Sequence, residues 1–156
     1  MKREELLARL AGYPAKVHTV TAPLTEEQLR RRPGQGEWSI KEVLGHLRDS
    51  AELLGERVRR MATDENPYLP EFKEAELAVD RRYQDDVTPV MLGRYVEHRA
   101  AMVALLRGLS DEGWERIGNH WKDGRVTVQS TAEGIARHDQ EHLGHIRRLR
   151  EEAQGV

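Results

Sequence analysis

One run of side chains near the C-terminus constrains this chain more than any other feature. Val128, Thr131, Ile135, His138, His142, His145 and Leu149 recur at alternating intervals of three and four residues, the period of one helix face turned toward a core. Three histidines thus stand where leucines are expected. A buried imidazole has ring nitrogens that need partners, and each one left unsatisfied costs about 1–3 kcal/mol. Hydrogen bonds within the core, a polar face turned toward a partner, or a metal ion would each meet that demand.

Other amphipathic segments precede this one. Leu6, Leu7 and Leu10 share a face, and Val17, Val20 and Leu24 resume it beyond Gly12-Tyr13-Pro14. Pro14 lacks an N–H and clashes with the preceding turn, so a kink or short break is predicted there. Thr25 caps a short turn over Glu26 to Arg30, and Pro33-Gly34-Gln35-Gly36 is loop. Ser39-Ile40-Lys41-Glu42 is a capping-box signature that starts a long helix with Ile40, Val43, Leu47, Leu54, Val58 and Met61 on its apolar face. His46 stands at the edge of that face.

Asn66-Pro67 to Pro70 ends the second helix, and Glu71 to Asp80 is predicted as a short helix within a long crossover. Thr88-Pro89 reads as an N-cap followed by proline at the first helical position. The helix that follows has a stripe of Leu92, Val96, Met102, Val103, Leu106 and Leu109, interrupted by His98 and Arg99. A buried unpaired charge is expensive, so both are expected to skirt the core edge rather than line a polar pocket. Ser110 caps a turn bearing Trp114, Asp123-Gly124 suits a small hairpin-like turn, and Thr127 caps a last helix reaching about Glu152. Four long amphipathic helices cannot bury their stripes singly. The expected fold is all-α: an antiparallel four-helix bundle, a single domain over residues 1–156, with a long crossover between helices 2 and 3.

Bundle cores are where facing helices build metal sites. His46 from one helix with His138 and His142 from another would offer three neutral nitrogen donors and leave coordination positions open. The chain has no cysteine, so any metal must take nitrogen or oxygen ligands. An open centre of this kind acts as a Lewis acid toward water, or binds and deprotonates a substrate thiol. An isolated His-x-x-x-His pair is a weak signal, and this one lacks the glutamate of the zinc-protease motif. Asp49, one turn beyond His46, and Glu141, beside His142, are candidate orienters or proton acceptors.

Two separated stretches resemble one family. Glu37-Trp38-Ser39-Ile40-Lys41-Glu42-Val43-Leu44-Gly45-His46-Leu47-Arg48-Asp49-Ser50 is similar to the start of the second helix of the DinB-like (DinB/YfiT) superfamily. Arg125-Val126-Thr127-Val128 followed by His138-Asp139-Gln140-Glu141-His142-Leu143-Gly144-His145-Ile146 resembles its last-helix signature. The resemblance implies a four-helix bundle that binds a divalent metal, commonly nickel or zinc, through His46, His138 and His142. It places His145 in the second shell or pocket wall. It also implies thiol-dependent S-transferases or isomerases among the relatives, which use low-molecular-weight thiols, and homodimers for some.

The leading functional expectation is therefore a metal-dependent enzyme, a hydrolase or a thiol-dependent S-transferase, acting on a small molecule. A thiol nucleophile would have to come from outside the chain. The alternatives are a non-catalytic metal- or ligand-binding bundle and a structural dimerisation module. The balance of 25 basic against 27 acidic residues argues against nucleic acid as a partner, and Arg30-Arg31-Arg32 reads as a solvated loop edge. No export segment or membrane span is evident, so a cytoplasmic protein is expected. His18, His98 and His120 have no role assigned by pattern. Nor do Trp38, Tyr95, Trp114 and Trp121, whose directions periodicity does not reveal.

Overall fold

Local capping chemistry sets where the long helices begin. In the computed structural model, which describes residues 1–155, Ser39 Oγ accepts from the Glu42 amide at 3.1 Å while the Glu42 carboxylate accepts from the Ser39 amide at 3.1 Å. The same reciprocal box forms between Thr25 and Gln28 and between Thr127 and Ser130. These boxes satisfy amides that a helix leaves unpaired at its start. They open α2 (Glu26–Arg30), α3 (Ile40–Thr63) and α7 (Val128–Ala153). The remaining elements are α1 (Arg3–Thr21), β1 (Tyr68–Leu69), α4 (Glu74–Asp80), a 3-10 turn at Tyr83–Asp85, α5 (Thr88–Arg107), α6 (Asp111–Trp114), β2 (Ile117–His120) and β3 (Gly124–Thr127).

The four long helices α1, α3, α5 and α7 form the expected four-helix bundle around a core that includes Leu6, Leu10, Leu44, Leu47, Met91 and Ile146. Arg3 meets Gln129, Tyr13 meets Gln140 and Arg150 meets Val20, so α1 and α7 run parallel. His98 lies beside Glu52 and Met102 beside Gly55, so α3 and α5 also run parallel. The long crossover makes this possible by carrying the chain back to the end of the bundle where α3 began. The antiparallel neighbours are α1 with α5, through Arg99 and Leu10, and α3 with α7, through His46 and His138.

A small sheet closes one end of the bundle. β1 pairs parallel with β2, and β2 pairs antiparallel with β3, with His120 opposite Gly124. Gly124 has φ +70, a conformation glycine adopts without penalty, and it closes the hairpin suggested by Asp123-Gly124. The pairing of the two-residue β1 has no counterpart in the sequence reading, because so short a strand has no period to detect. Gly118 on β2 is packed so closely that an added Cβ would lie 2.8 Å from Met61.

Several local expectations change. Pro14 lies inside α1, which continues without a break from Arg3 to Thr21. Val87, not Thr88, is the N-cap of α5; Thr88 is the first helical residue and its hydroxyl donates to Glu26. The buried stripe of α5 runs through Met91, Tyr95, Arg99, Met102 and Leu106, while Val96 is exposed. Met102, Val103 and Leu106 of the predicted stripe are buried, whereas in the first half of the helix Met91 and Tyr95 take the core positions expected for Leu92 and Val96. On α7 the buried positions include Val128, Ile135 and Leu149 of the predicted stripe together with Ala132, Ala136, Asp139, Leu143 and Ile146, and the three histidines flank them half-buried. Of the three arginines expected at a loop edge, Arg30 ends α2, while Arg31 and Arg32 follow it exposed, and Arg32 pairs with the buried Glu42 carboxylate at 2.7 Å. Among the described residues no helix is long and apolar enough to cross a membrane.

Candidate metal centre

The capping box at Ser39 fixes the phase of α3, and that phase turns His46 inward, where it is 2 % exposed. His138 and His142 come from adjacent turns of α7, with ring centroids 4.5 Å apart. The antiparallel crossing of α3 and α7 brings the three together. One nitrogen of each lies within 4.8 Å of the others, and His46 Nε2 stands 2.9 Å from His138 Nε2. Trp38 covers the cluster, its ring centroid 5.3 Å from that of His46.

The donor set fits a divalent transition metal. Metal–imidazole bonds of about 2.0–2.1 Å to one ion imply nitrogen separations of about 2.8–3.4 Å in tetrahedral or octahedral geometry. The His46–His138 separation falls in that range. Burial first, and then the neighbouring His138 and His142, push the His46 imidazole down to about 3. Burial and His138 push His142 down to about 4. Both rings are therefore neutral near pH 7 and keep a lone pair for a metal.

His138 is oriented by a residue the sequence reading passed over. Asp139 is 1 % exposed, and its Oδ1 accepts from His138 Nδ1 at 3.0 Å. That bond places the His138 proton on Nδ1 and leaves Nε2 free toward His46. The other oxygen of Asp139 takes Tyr95 Oη at 2.5 Å and Arg99 Nη2 at 2.7 Å. Burial opposes ionisation of Asp139, but the His138 bond, the Arg99 charge and the Tyr95 hydroxyl outweigh it and hold the carboxyl below its ordinary value. Arg99, expected at the core edge, is 2 % exposed. It avoids the penalty of an unpaired buried charge through Asp139 and through the Leu10 carbonyl, to which Nη1 donates at 3.2 Å. Leu10 is the residue four before Pro14, whose missing N–H leaves that carbonyl without its helical partner. The proline therefore supplies an anchor for Arg99. Among the described residues Arg99 Nε has no hydrogen-bond partner.

Glu74, on the crossover helix α4, is a second residue that pattern missed. Its Oε2 approaches His46 Nε2 to 3.6 Å although the side chain is largely exposed. Asp49 faces elsewhere: its carboxylate accepts from Arg81 at 2.7 Å, from Arg48 at 3.1 Å and from Tyr83. Glu141 is exposed on α7. His145 is half-buried one turn beyond His142 and outside the three-nitrogen set. His18 is exposed, His98 sits 3.8 Å from Glu52, and His120 lies on β2. Trp114 packs in the core, and Trp121 is largely exposed.

A cavity of about 580 Å³ opens beside the cluster, lined by His46 and His138 together with Leu54, Arg57, Phe72 and Glu74. A larger groove of about 890 Å³ runs between α1 and α5. The three-histidine group opens on the smaller cavity, which His46 and His138 line.

Comparison with known proteins identifies the family. The DinB superfamily matches residues 5–146. The chain belongs to the DinB superfamily. Among its DinB relatives, a protein of Oceanobacillus iheyensis named "Putative metal-dependent hydrolase OB0413" is 26% identical over 144 residues, covering 92% of this chain and 82% of the relative. YuaE of Bacillus subtilis, named as uncharacterized, is 28% identical over 144 residues, covering 82% of this chain and 86% of that one. The structure of YfiT from Bacillus subtilis superposes with a TM-score of 0.90 at 23% identity, covering 99% of this chain and 90% of YfiT. YfiT is described as a probable metal-dependent hydrolase with an unusual four-helix bundle topology. At that identity the likeness establishes the fold.

Proposed function

We propose that this DinB protein is a hydrolase of small-molecule esters or amides, using a divalent metal, zinc or nickel, held by His46, His138 and His142. The observation that carries the reading is that one ring nitrogen from each of three histidines lies within 4.8 Å of the others, with His138 oriented by Asp139. The names of its relatives support hydrolysis. Held there, a divalent cation supplies Lewis acidity, which polarises a scissile carbonyl and brings water toward ionisation near neutral pH.

The chain's own residues do the rest. Asp139 keeps the Nε2 lone pair of His138 aimed into the site, while Tyr95 and Arg99 keep Asp139 ionised. Trp38 shields the cluster from one side. Glu74, 3.6 Å from His46 Nε2 and open to the cavity, is placed to take the proton of the attacking water and return it to the leaving group. We assign the orienting and proton-accepting roles to Asp139 and Glu74 in preference to Asp49 and Glu141. Asp49 is held by Arg81, Arg48 and Tyr83, and Glu141 points to solvent. His145 is assigned to the pocket wall. Nothing in this assignment requires a second subunit, a nucleic acid or a membrane.

Untagged protein, metal analysis and a panel of aryl esters test the reading. About one equivalent of metal and measurable ester turnover are expected, both lost in His138→Ala. Glu74→Gln should keep the metal and lower kcat by about 10²-fold or more. Less than about a tenth of an equivalent, with stability indifferent to chelators, would leave a structural bundle. Metal without turnover would leave a binding module. Turnover of electrophiles only when a small thiol is added would replace hydrolysis with thiol transfer.

A further inference from the structure

The cavity that opens on the histidines extends along α3 to a second cluster of donors. Arg57 follows His46 by 11 residues. At 100° per residue this is three turns and roughly 16 Å along the axis, so both side chains leave the helix on nearly the same face. Arg57 is held from two sides. Nη2 donates to the Pro70 carbonyl, and the guanidinium lies over the Phe72 ring at 5.2 Å. No carboxylate pairs with it among the described residues, and burial alone lowers its pKa.

Its neighbour is His120, delivered by β2. His120 Nδ1 accepts from the Lys122 and Asp123 amides at 3.2 and 3.1 Å. Two donors converging on Nδ1 place the ring proton on Nε2. Nε2 stands 3.5 Å from Arg57 Nη1. Both atoms carry hydrogen, so neither satisfies the other. A single acceptor between them would satisfy both, and a negatively charged one would also offset the unpaired guanidinium.

The acidic residues of the cavity do not fill this place. Glu74 lies against His46, Glu76 pairs with Lys73 at 3.8 Å, Glu71 is exposed, and the Asp123 carboxylate lies on the opposite side of the His120 ring, 3.6 Å from Nδ1. We propose that Arg57 and His120 form a carboxylate-binding subsite that takes the anionic tail of an elongated substrate whose other end reaches the three histidines. The substrate class is then a monoester or monoamide of a dicarboxylic acid. The location of the bond that breaks rests on the hydrolase reading, whereas the anion subsite does not.

Monomethyl suberate and dimethyl suberate, which differ by one charge, are the probes. Each is titrated calorimetrically into the full-length chain, as purified and after zinc addition. The acid form should bind about tenfold or more tightly. That preference should vanish in Arg57→Gln and return in part in Arg57→Lys, with zinc content unchanged in both variants. Equal affinity for the two esters in the unmodified chain overturns the proposal without need of a variant. A preference undiminished in Arg57→Gln also overturns it, since the carboxylate would then sit at the metal or elsewhere. A preference that depends on Arg57 but is accompanied by no ester cleavage overturns the hydrolase reading and upholds the subsite.

Discussion

Asp49 and Asp139 have nearly the same surroundings and opposite consequences. Each is 1 % exposed on a long helix, and each carboxylate accepts from a buried tyrosine and an arginine. The partners of Asp49, Arg81 and Tyr83, come from the crossover, at the end of α4 and in the 3-10 turn. The Tyr83 ring packs where a Cβ on Gly45 would lie, 2.3 Å from its Cγ. Asp49 therefore ties the crossover, and with it α4 and Glu74, onto α3. Asp139 takes its tyrosine and arginine from α5 and gives its remaining oxygen to His138. The chemistry of a buried carboxylate is thus indifferent to function until one oxygen reaches a ring nitrogen that something else needs.

The sharpest way to break this comparison is to neutralise each aspartate in turn. Asp139→Asn should lower zinc affinity by about 10–100-fold and destabilise by about 3–5 kcal/mol, because Arg99 loses its counter-charge in the core. Asp49→Asn should cost about 1–3 kcal/mol and lower turnover through Glu74, with zinc affinity nearly unchanged. Chelator competition and urea unfolding measure both. Equal losses of zinc affinity in the two variants would abolish the distinction.

Acid should expose the histidine side next. His46 and His142 have folded pKa values lowered to about 3 and about 4, so below the ordinary value of about 6.5 the unfolded chain binds more protons. Their contribution to stability is full above about pH 6.5 and is lost as pH falls toward 3. The urea midpoint of metal-free protein should therefore fall between pH 7 and pH 5. In a His46→Ala, His142→Ala double variant the slope over that window should flatten. An unchanged slope would show that these rings are not neutral and buried.

Smaller effects separate the tyrosines. Tyr95→Phe and Tyr83→Phe should each cost about 1.5–3 kcal/mol through a lost bond to a charged acceptor. Only Tyr95→Phe should weaken zinc binding. Smallest is Pro14→Ala, which supplies an N–H that competes with Arg99 for the Leu10 carbonyl. It should change stability by less than about 1 kcal/mol and zinc affinity by less than tenfold. A loss as large as that of Asp139→Asn would mean that Arg99 depends on the proline more than on its ion pair.

What the sequence by itself determined is what short-range chemistry determines. Ser39, Thr25 and Thr127 mark helix starts because a cap needs partners only three residues away. The 3-4 spacing placed His138 and His142 on one face for the same reason, and the number and order of long helices followed from caps and breakers. Periodicity, however, sees one helix at a time. It had no means of knowing that Arg99 would find Asp139 and a carbonyl freed by Pro14, and so it moved the arginine outward. Asp139 itself looked like one more charged residue beside a histidine. Glu74 approaches His46, and Arg57 meets His120, only because the crossover and a two-residue strand return to the bundle. Those pairings join residues from 28 to 63 positions apart. The tertiary structure decided them, because the free energy of burying a polar group depends on partners that arrive from other elements.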